Sequence, residues 1–345
     1  MASPPRSVDE LYTEARAGSR RALGRLLTLV ERGGHDAETI AELANPDAGS
    51  AHIVGITGAP GAGKSTLTGR LVNLLVDRGD RPAVLAVDPS SPLTGGAILG
   101  DRIRMEGSLP GSAGLGGAEP ASTAAPGDPP PTAFIRSMAT RGHSGGLALA
   151  VPLAVRLFDA MGYDPVIIET VGVGQVEVDV VAAADTAVVV MTPGMGDAVQ
   201  ANKAGLLEVA DVFVVNKADR PGALDVRRDL ELMLDLSHVT GQEDEGGYRP
   251  PIVLASALEG QGAADVWDAV VAHLVVLDET GRRQERRHHR IRTEIRARMA
   301  QTLASRVDEA MNSEMGSELV TMVEEASLSP AAASAKLLDR LLHNR

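Results

Sequence analysis

The chain has 345 residues, 44% hydrophobic and only 2% aromatic, so the core of one large α/β domain plus extensions, or of two modest domains, must come from Ala, Val, Leu and Ile. A formal net charge of −13 repels phosphate backbones and anionic lipid, which argues against nucleic-acid or membrane partners. The lack of Cys excludes disulfides, thiolate metal sites and Cys nucleophiles. No apolar run reaches the length of a membrane span and the N-terminal segment lacks signal-peptide order, so a cytoplasmic protein is expected.

Apolar residues at helical spacing (Leu11, Ala15, Leu23, Leu26, Leu27, Val30) predict helices within residues 8–32. Residues 33–50 read as a linker with a short helix. From residue 51 the pattern changes to short apolar runs at 52–57, 83–88, 165–169, 186–191, 212–216 and 251–255, separated by segments long enough for crossover helices. Such runs are buried on both faces, as parallel strands are, and predict an α/β, doubly wound, mostly parallel sheet. Residues 107–131, rich in Gly, Pro, Ala and Ser, read as a flexible insertion. Beyond residue 277 the chain turns helical and basic (Arg282, Arg283, Arg286, Arg287, Arg290, Arg292), and two more apolar-periodic segments end near Leu342. The expected organisation is an N-terminal helical extension (1–50), a P-loop domain (51–276) and a C-terminal helical segment (277–345). The arginine run reads as the solvated face of a helix.

Residues Gly58-Ala59-Pro60-Gly61-Ala62-Gly63-Lys64-Ser65 match G-x-x-x-x-G-K-[ST] between a predicted strand and a predicted helix. Glycines let consecutive amides turn inward as a phosphate nest, and the helix N-terminus adds positive partial charge. Lys64 is expected at the β- and γ-phosphates, Ser65 on Mg²⁺ and Thr66 near the α-phosphate.

Asn216-Lys217-Ala218-Asp219 stands as N-K-x-D at the end of a predicted strand, where open α/β sheets bind ligands. An Asp there accepts from both guanine N1–H and its 2-amino group, whereas adenine would leave the carboxylate unpaired. Asn216 would orient the loop and meet the base edge, and the Lys217 stem would pack over the ring. Ser256-Ala257-Leu258, after the next strand, would supply a backbone N–H to guanine O6. The structural alternative for the tetrapeptide is a strand-to-helix turn with a capping Asp.

Three acids stand where they could surround Mg²⁺: Asp88 and Glu169 at strand ends and Asp101 in a Gly-rich segment. A helix cap is the alternative for Asp88 and a solvated loop acid for Asp101. Glu169-Thr170-Val171-Gly172 is similar to a GTPase D-x-x-G switch with Glu for Asp, suited to an outer-shell contact. No hydrolytic residue is obvious, since Gln175 is not adjacent to Gly172. A GTPase without an activator in place is expected to be slow.

With these motifs, and with Ala86-Val87-Asp88-Pro89-Ser90-Ser91, residues 95–102, Phe134-Ile135-Arg136-Ser137 and Pro193-Gly194-Met195-Gly196-Asp197, the chain resembles the MeaB/ArgK family of P-loop GTPases, of the signal-recognition and metallochaperone class. The resemblance covers nearly the whole chain. It implies a GTP/GDP-binding, Mg²⁺-dependent chaperone of an adenosylcobalamin-dependent acyl-CoA mutase, usually methylmalonyl-CoA mutase, with cobalamin held only through that partner. It implies a homodimer through the C-terminal helices. Lys64, Asp88 and Lys203 are the expected catalytic residues; for Lys203 the resemblance implies a lysine that moves toward the nucleotide, with an exposed helix lysine as the alternative. The 107–131 insertion departs from the family pattern. A metallochaperone-type GTPase is the competing reading, opposed by the lack of Cys and of a His-rich tract. A transport-associated kinase is another, opposed by Asp219.

Overall fold

The computed structural model describes residues 6–88, 133–139, 146–170, 183–194, 209–239 and 248–343. Ser7 and Glu10 start the first helix, α1 (Val8–Arg16), by satisfying two orphan amides: Glu10 N–H donates to Ser7 Oγ at 3.2 Å and Ser7 N–H to Glu10 Oε2 at 3.0 Å. Helices α2 (Arg20–Arg32) and α3 (His35–Ala44) follow, α3 being the short helix expected in the linker. Leu11, Leu23, Leu26, Leu27, Val30 and Ile40 are buried, so the apolar spacing marks the face these helices turn inward.

The sheet comprises β1 (Ile53–Thr57), β2 (Ala83–Asp88), β3 (Phe134–Ala139), β4 (Val166–Thr170), β5 (Thr186–Met191), β6 (Val212–Asn216) and β7 (Ile252–Ala255). Its order is β3-β2-β4-β1-β5-β6-β7 and every pairing is parallel. After β1 the chain builds one wing, β2 to β4, and then crosses to build the other, β5 to β7. The carboxyl end of β1 is therefore the switch point at which such sheets bind ligands.

β3 is absent from the six runs that the sequence marks. It lies at the sheet edge, and Ile135, Arg136 and Ser137 are only half-buried. Its Arg136 turns to α2, donating to Thr28 Oγ1 and Glu31 Oε2, each at 3.1 Å. Arg136 and Ser137 interrupt the strand's apolar residues, so it does not present a continuous apolar run.

Alternate strand residues face opposite layers, as a period of two demands. Leu85, Met138 and Ile168 pack with α1 to α3 and α5 (Gly146–Ala160), whereas Val84 and Ile167 join Ile56, Val190 and Val214 against α4 (Lys64–Asp77) and α7 (Ala263–Thr280). Val189, Phe213 and Val215 face α6 (Ala223–Val239). Covered faces on both sides fix strand register, because a slip by one residue would exchange every side chain between layers.

Two compact units are resolved, Met1–Arg290 and Ile291–Arg345. Helix α8 (Arg282–Met311) begins in the first, and of its arginines there Arg283, Arg286 and Arg290 are half-buried while Arg287 stays exposed. Arg286 grips Asp211 with both terminal nitrogens (2.8 Å each), Arg290 reaches Asp185 at 2.6 Å, and Arg283 and Arg287 donate to the carbonyls of Ser50 and Gly49. Asp185 and Asp211 in turn accept from the amides of Ile53 (3.0 Å) and Ala187 (2.8 Å), at strand starts. Two arginines of the basic run are thus paired with buried acids and two with backbone oxygens, while Arg292 is exposed. The second unit, taken by itself, holds α9 (Glu314–Glu324) and α10 (Pro330–His343), whose Leu319, Ala333 and Leu337 form a small core.

Beside the same acids, His52 Nε2 lies 2.9 Å from Thr186 Oγ1, which lies 2.9 Å from His273 Nδ1, and His273 Nε2 lies 3.3 Å from Asp211 Oδ1. His52 is 5% exposed, and burial lowers its pKa from the ordinary 6.5 to about 4. Between those values the unfolded chain takes up a proton that the fold refuses, so stability is full above pH 6.5 and falls as pH drops toward 4. The loss expected over that window is about 3 kcal/mol. Denaturant melts of the wild type and His52→Gln at stepped pH check this: the variant's curve should be flatter between pH 6.5 and 4.

Candidate nucleotide site

The loop after β1 runs into the first turn of α4, and its end glycines are there for close approach. Gly58 has φ +137°, and a Cβ on it would overlap the Val190 carbonyl of neighbouring β5. Gly63 has φ +87°, and a Cβ there would overlap the Asn216 side-chain amide. Either substitution would push the cradle away from the strand beside it. Between them Ala62 N–H closes a turn on Ala59 O at 3.1 Å. Pro60 and Gly61 are exposed at the loop's tip, and Thr66 is exposed on α4.

Lys64 is 7% exposed, and its ammonium folds back over the loop, donating to Gly58 O and, at 3.2 Å, to Ala59 O. A cation held on its own loop's carbonyls can exchange them for a stronger, charged acceptor. Ser65 Oγ donates to Glu169 Oε1, and Glu169 is fully buried at the end of β4. Next to it, Thr170 Oγ1 is 3.2 Å from Thr57 Oγ1, tying the end of β4 to that of β1.

A hydroxyl and a carboxylate meeting at a helix N-terminus form a hard oxygen donor set, which fits Mg²⁺. Among the described residues no group of three or more His, Cys, Asp or Glu side chains gathers as a metal site. Asp88 ends β2, but its side chain lies outside the described residues, as do Asp101 and Lys203 and also Gly172 and Gln175.

The N-K-x-D residues follow β6. Asn216 is 2% exposed and spends its whole amide on the scaffold: Nδ2 donates to Ala62 O at 2.8 Å, and Oδ1 accepts from Ala257 N–H at 3.1 Å. One side chain therefore joins the phosphate loop to the loop after β7. Lys217 takes the left-handed conformation (φ +59°), unusual for a residue with a Cβ, and its Nζ donates to Gly61 O at 2.7 Å. Ser256 Oγ donates to Asp219 Oδ1 at 2.6 Å. That bond, assisted by Arg220 and Lys217, holds the exposed Asp219 carboxyl below the usual carboxylate range, so it is ionised at neutral pH and able to accept.

The loop after β7 is closed by reciprocal bonds of Ser256 and Gln261 (N–H to O, 3.1 and 3.0 Å). Arg70 of α4 meets it from the other side, Nε donating to Ala257 O and a terminal nitrogen to Leu258 O, each at 2.9 Å. Sequence reasoning did not single out Arg70; a lone exposed arginine on a helix carries no local signal of the loop it meets.

This fold defines a protein of the P-loop nucleotide-binding class. The family model described as methylmalonyl Co-A mutase-associated GTPase MeaB matches residues 23–312. The chain is 43% identical over 335 residues to a Pyrococcus abyssi protein provisionally named a GTPase, with 97% of each chain covered. It is 37% identical over 281 residues to GTPase ArgK of Escherichia coli K12, covering 80% of this chain and 78% of that one. The crystal structure of an LAO/AO transport system kinase matches with a TM-score of 0.66 at 25% identity, covering 99% of this chain and 100% of that one. The chain belongs to the MeaB family of GTPases. Guanine nucleotide and Mg²⁺ are the ligands that a P-loop GTPase implies. Among the described residues no helix is long and apolar enough to cross a membrane.

Proposed function

We propose that this GTPase is a chaperone of an adenosylcobalamin-dependent acyl-CoA mutase, methylmalonyl-CoA mutase before others, and that GTP binding and hydrolysis gate loading of the mutase's cofactor and protect it from inactivation. The family description, which names a mutase-associated GTPase, supports the partner. The observation that carries the nucleotide half is the Asn216 junction: a single buried amide bonds the phosphate loop at Ala62 and the base loop at Ala257, so both recognition elements form one cleft.

In this reading the loop amides and Lys64 hold the β- and γ-phosphates, Thr66 lies toward the α-phosphate, and Ser65 with Glu169 holds Mg²⁺, Asp88 and Asp101 completing the acidic shell. The ion, when bound, neutralises charge developing between the β- and γ-phosphoryl oxygens. Asp219 accepts from guanine N1–H and the 2-amino group. Lys203 is the residue we assign to completing the charge around the transferring phosphoryl group when the partner docks, which leaves intrinsic hydrolysis slow.

A homodimer is part of the same proposal. Within the second unit, Ile291, Ile295, Met299, Leu303, Val307 and Met311 recur every four residues along α8 and are between 42% and 60% exposed. A second copy of this chain is the occupant that we assign to that stripe.

Phosphate release measured with and without a purified acyl-CoA mutase from the same organism tests the reading. Stimulation of at least about tenfold is expected, since a completed charge site is worth far more in phosphoryl transfer. A mutase that neither binds nor stimulates the protein contradicts it.

A further inference from the structure

The loop after β7 faces the six-oxo edge of the base in the guanine pocket proposed for Asp219, and its geometry selects one donor to that edge. Three consecutive amides are available at Ser256, Ala257 and Leu258. Ser256 N–H is spent on Gln261 O at 3.1 Å, closing the loop. Ala257 N–H is spent on Asn216 Oδ1 at 3.1 Å. That leaves the Leu258 N–H, which belongs to the peptide whose carbonyl is Ala257 O. In a trans peptide the N–H and C=O point in opposite directions. Arg70 Nε holds Ala257 O at 2.9 Å, so the Leu258 N–H is turned to the side away from Arg70. The next carbonyl, Leu258 O, is held by the same guanidinium at 2.9 Å, so two successive peptide planes are fixed by one planar fork. Gly260, at φ +77°, lets the loop turn back over that fork, with a Cβ position 3.7 Å from Arg70 Cζ.

Arg70 also sits on the helix that Lys64 begins, six residues or about 9 Å further along. The phosphate cradle and the base loop are therefore braced twice, by Asn216 from β6 and by Arg70 from α4.

We propose that Arg70 is a positioning residue for guanine recognition: by holding Ala257 O and Leu258 O it aims the Leu258 N–H as the donor to the six-oxo group of the base. The proposal rests on the base-pocket reading of Asp219 and the loop after β7. Arg70 touches no nucleotide atom in this account; it acts through the peptide it orients.

The test is equilibrium binding to the full chain with Mg²⁺, using GDP, 6-thioguanosine diphosphate, which keeps N1–H and the 2-amino group but carries a weakly accepting sulfur in place of the six-oxo oxygen, and pyrophosphate. Wild type should prefer GDP to the six-thio analogue. In Arg70→Ala the GDP affinity should fall about tenfold, the scale of one hydrogen bond lost from a desolvated site. Affinity for the analogue and for pyrophosphate should stay unchanged, so the preference collapses. Arg70→Lys, whose ammonium reaches one carbonyl at a time, should recover part of it, and it carries the test if the alanine variant fails to fold.

An Arg70→Ala protein that keeps the full preference overturns the proposal, as does one that loses GDP, analogue and pyrophosphate equally, which would mark a damaged α4 instead. A wild type that binds GDP and the analogue alike is a different failure: the guanine-pocket reading itself would fall, and the proposal with it.

Discussion

Asp219→Asn is expected to weaken GTP by about 10³-fold, because two hydrogen bonds to a charged acceptor are lost and an amide N–H is set against the base's own donors. The same variant should gain xanthosine triphosphate, whose two-position carbonyl accepts from the new amide. The ground for a large effect is geometric. Asp219 accepts from Ser256 Oγ at 2.6 Å, a bond that orients the carboxyl and lowers its pKa further below the ordinary carboxylate value. A pre-oriented acceptor contributes more to discrimination than a mobile one, because less ordering is required on binding. Competition binding with GTP, xanthosine triphosphate and ATP checks it. A variant that retains GTP preference would remove Asp219 from base reading and leave it as the capping acid of a turn.

Lys64→Ala is expected to lower GTP affinity by at least about a hundredfold, the scale of a charge-assisted bond to phosphate lost from a nearly buried position. Hydrolysis at saturating GTP should fall by a further factor of about 10² to 10³, because charge on the γ-phosphoryl oxygens grows toward the transition state. The two losses are separable by measuring binding first and single-turnover hydrolysis second. Lys64 is 7% exposed and bonded to Gly58 O and Ala59 O, so its removal also takes two partners from loop carbonyls, and loop disorder is part of the expected loss. Unchanged affinity would contradict the phosphate-cradle assignment.

Legibility in the sequence follows the range of the interaction. The loop at residues 58–65 is written in eight consecutive residues, and its glycines answer to clashes that any such turn would meet. The strands buried on both faces are plain as apolar runs. β3 is not, because its edge position leaves Arg136 room to turn toward Glu31 of α2, a residue distant in the chain. The arginines of α8 read as a solvent face, since nothing near them in sequence announces Asp185 and Asp211. Those acids stand at the starts of β5 and β6, and only folding brings them under Arg290 and Arg286. The same holds for Arg70, whose partners are backbone carbonyls that leave no sequence mark. The sequence points to the loop of Ser256, Ala257 and Leu258 as an amide donor, and the structure refines this: two of its three amides already serve the scaffold.

In the proposed complex guanine is read at one end of the cleft while the phosphates are held at the other. Titration calorimetry of the folded wild-type protein with Mg²⁺, first against GTP and then against ATP, tests that directly. The prediction is saturable heat with GTP in the micromolar range or tighter, and ATP weaker by at least about a hundredfold. No heat with GTP, or ATP binding as tightly as GTP, would contradict it.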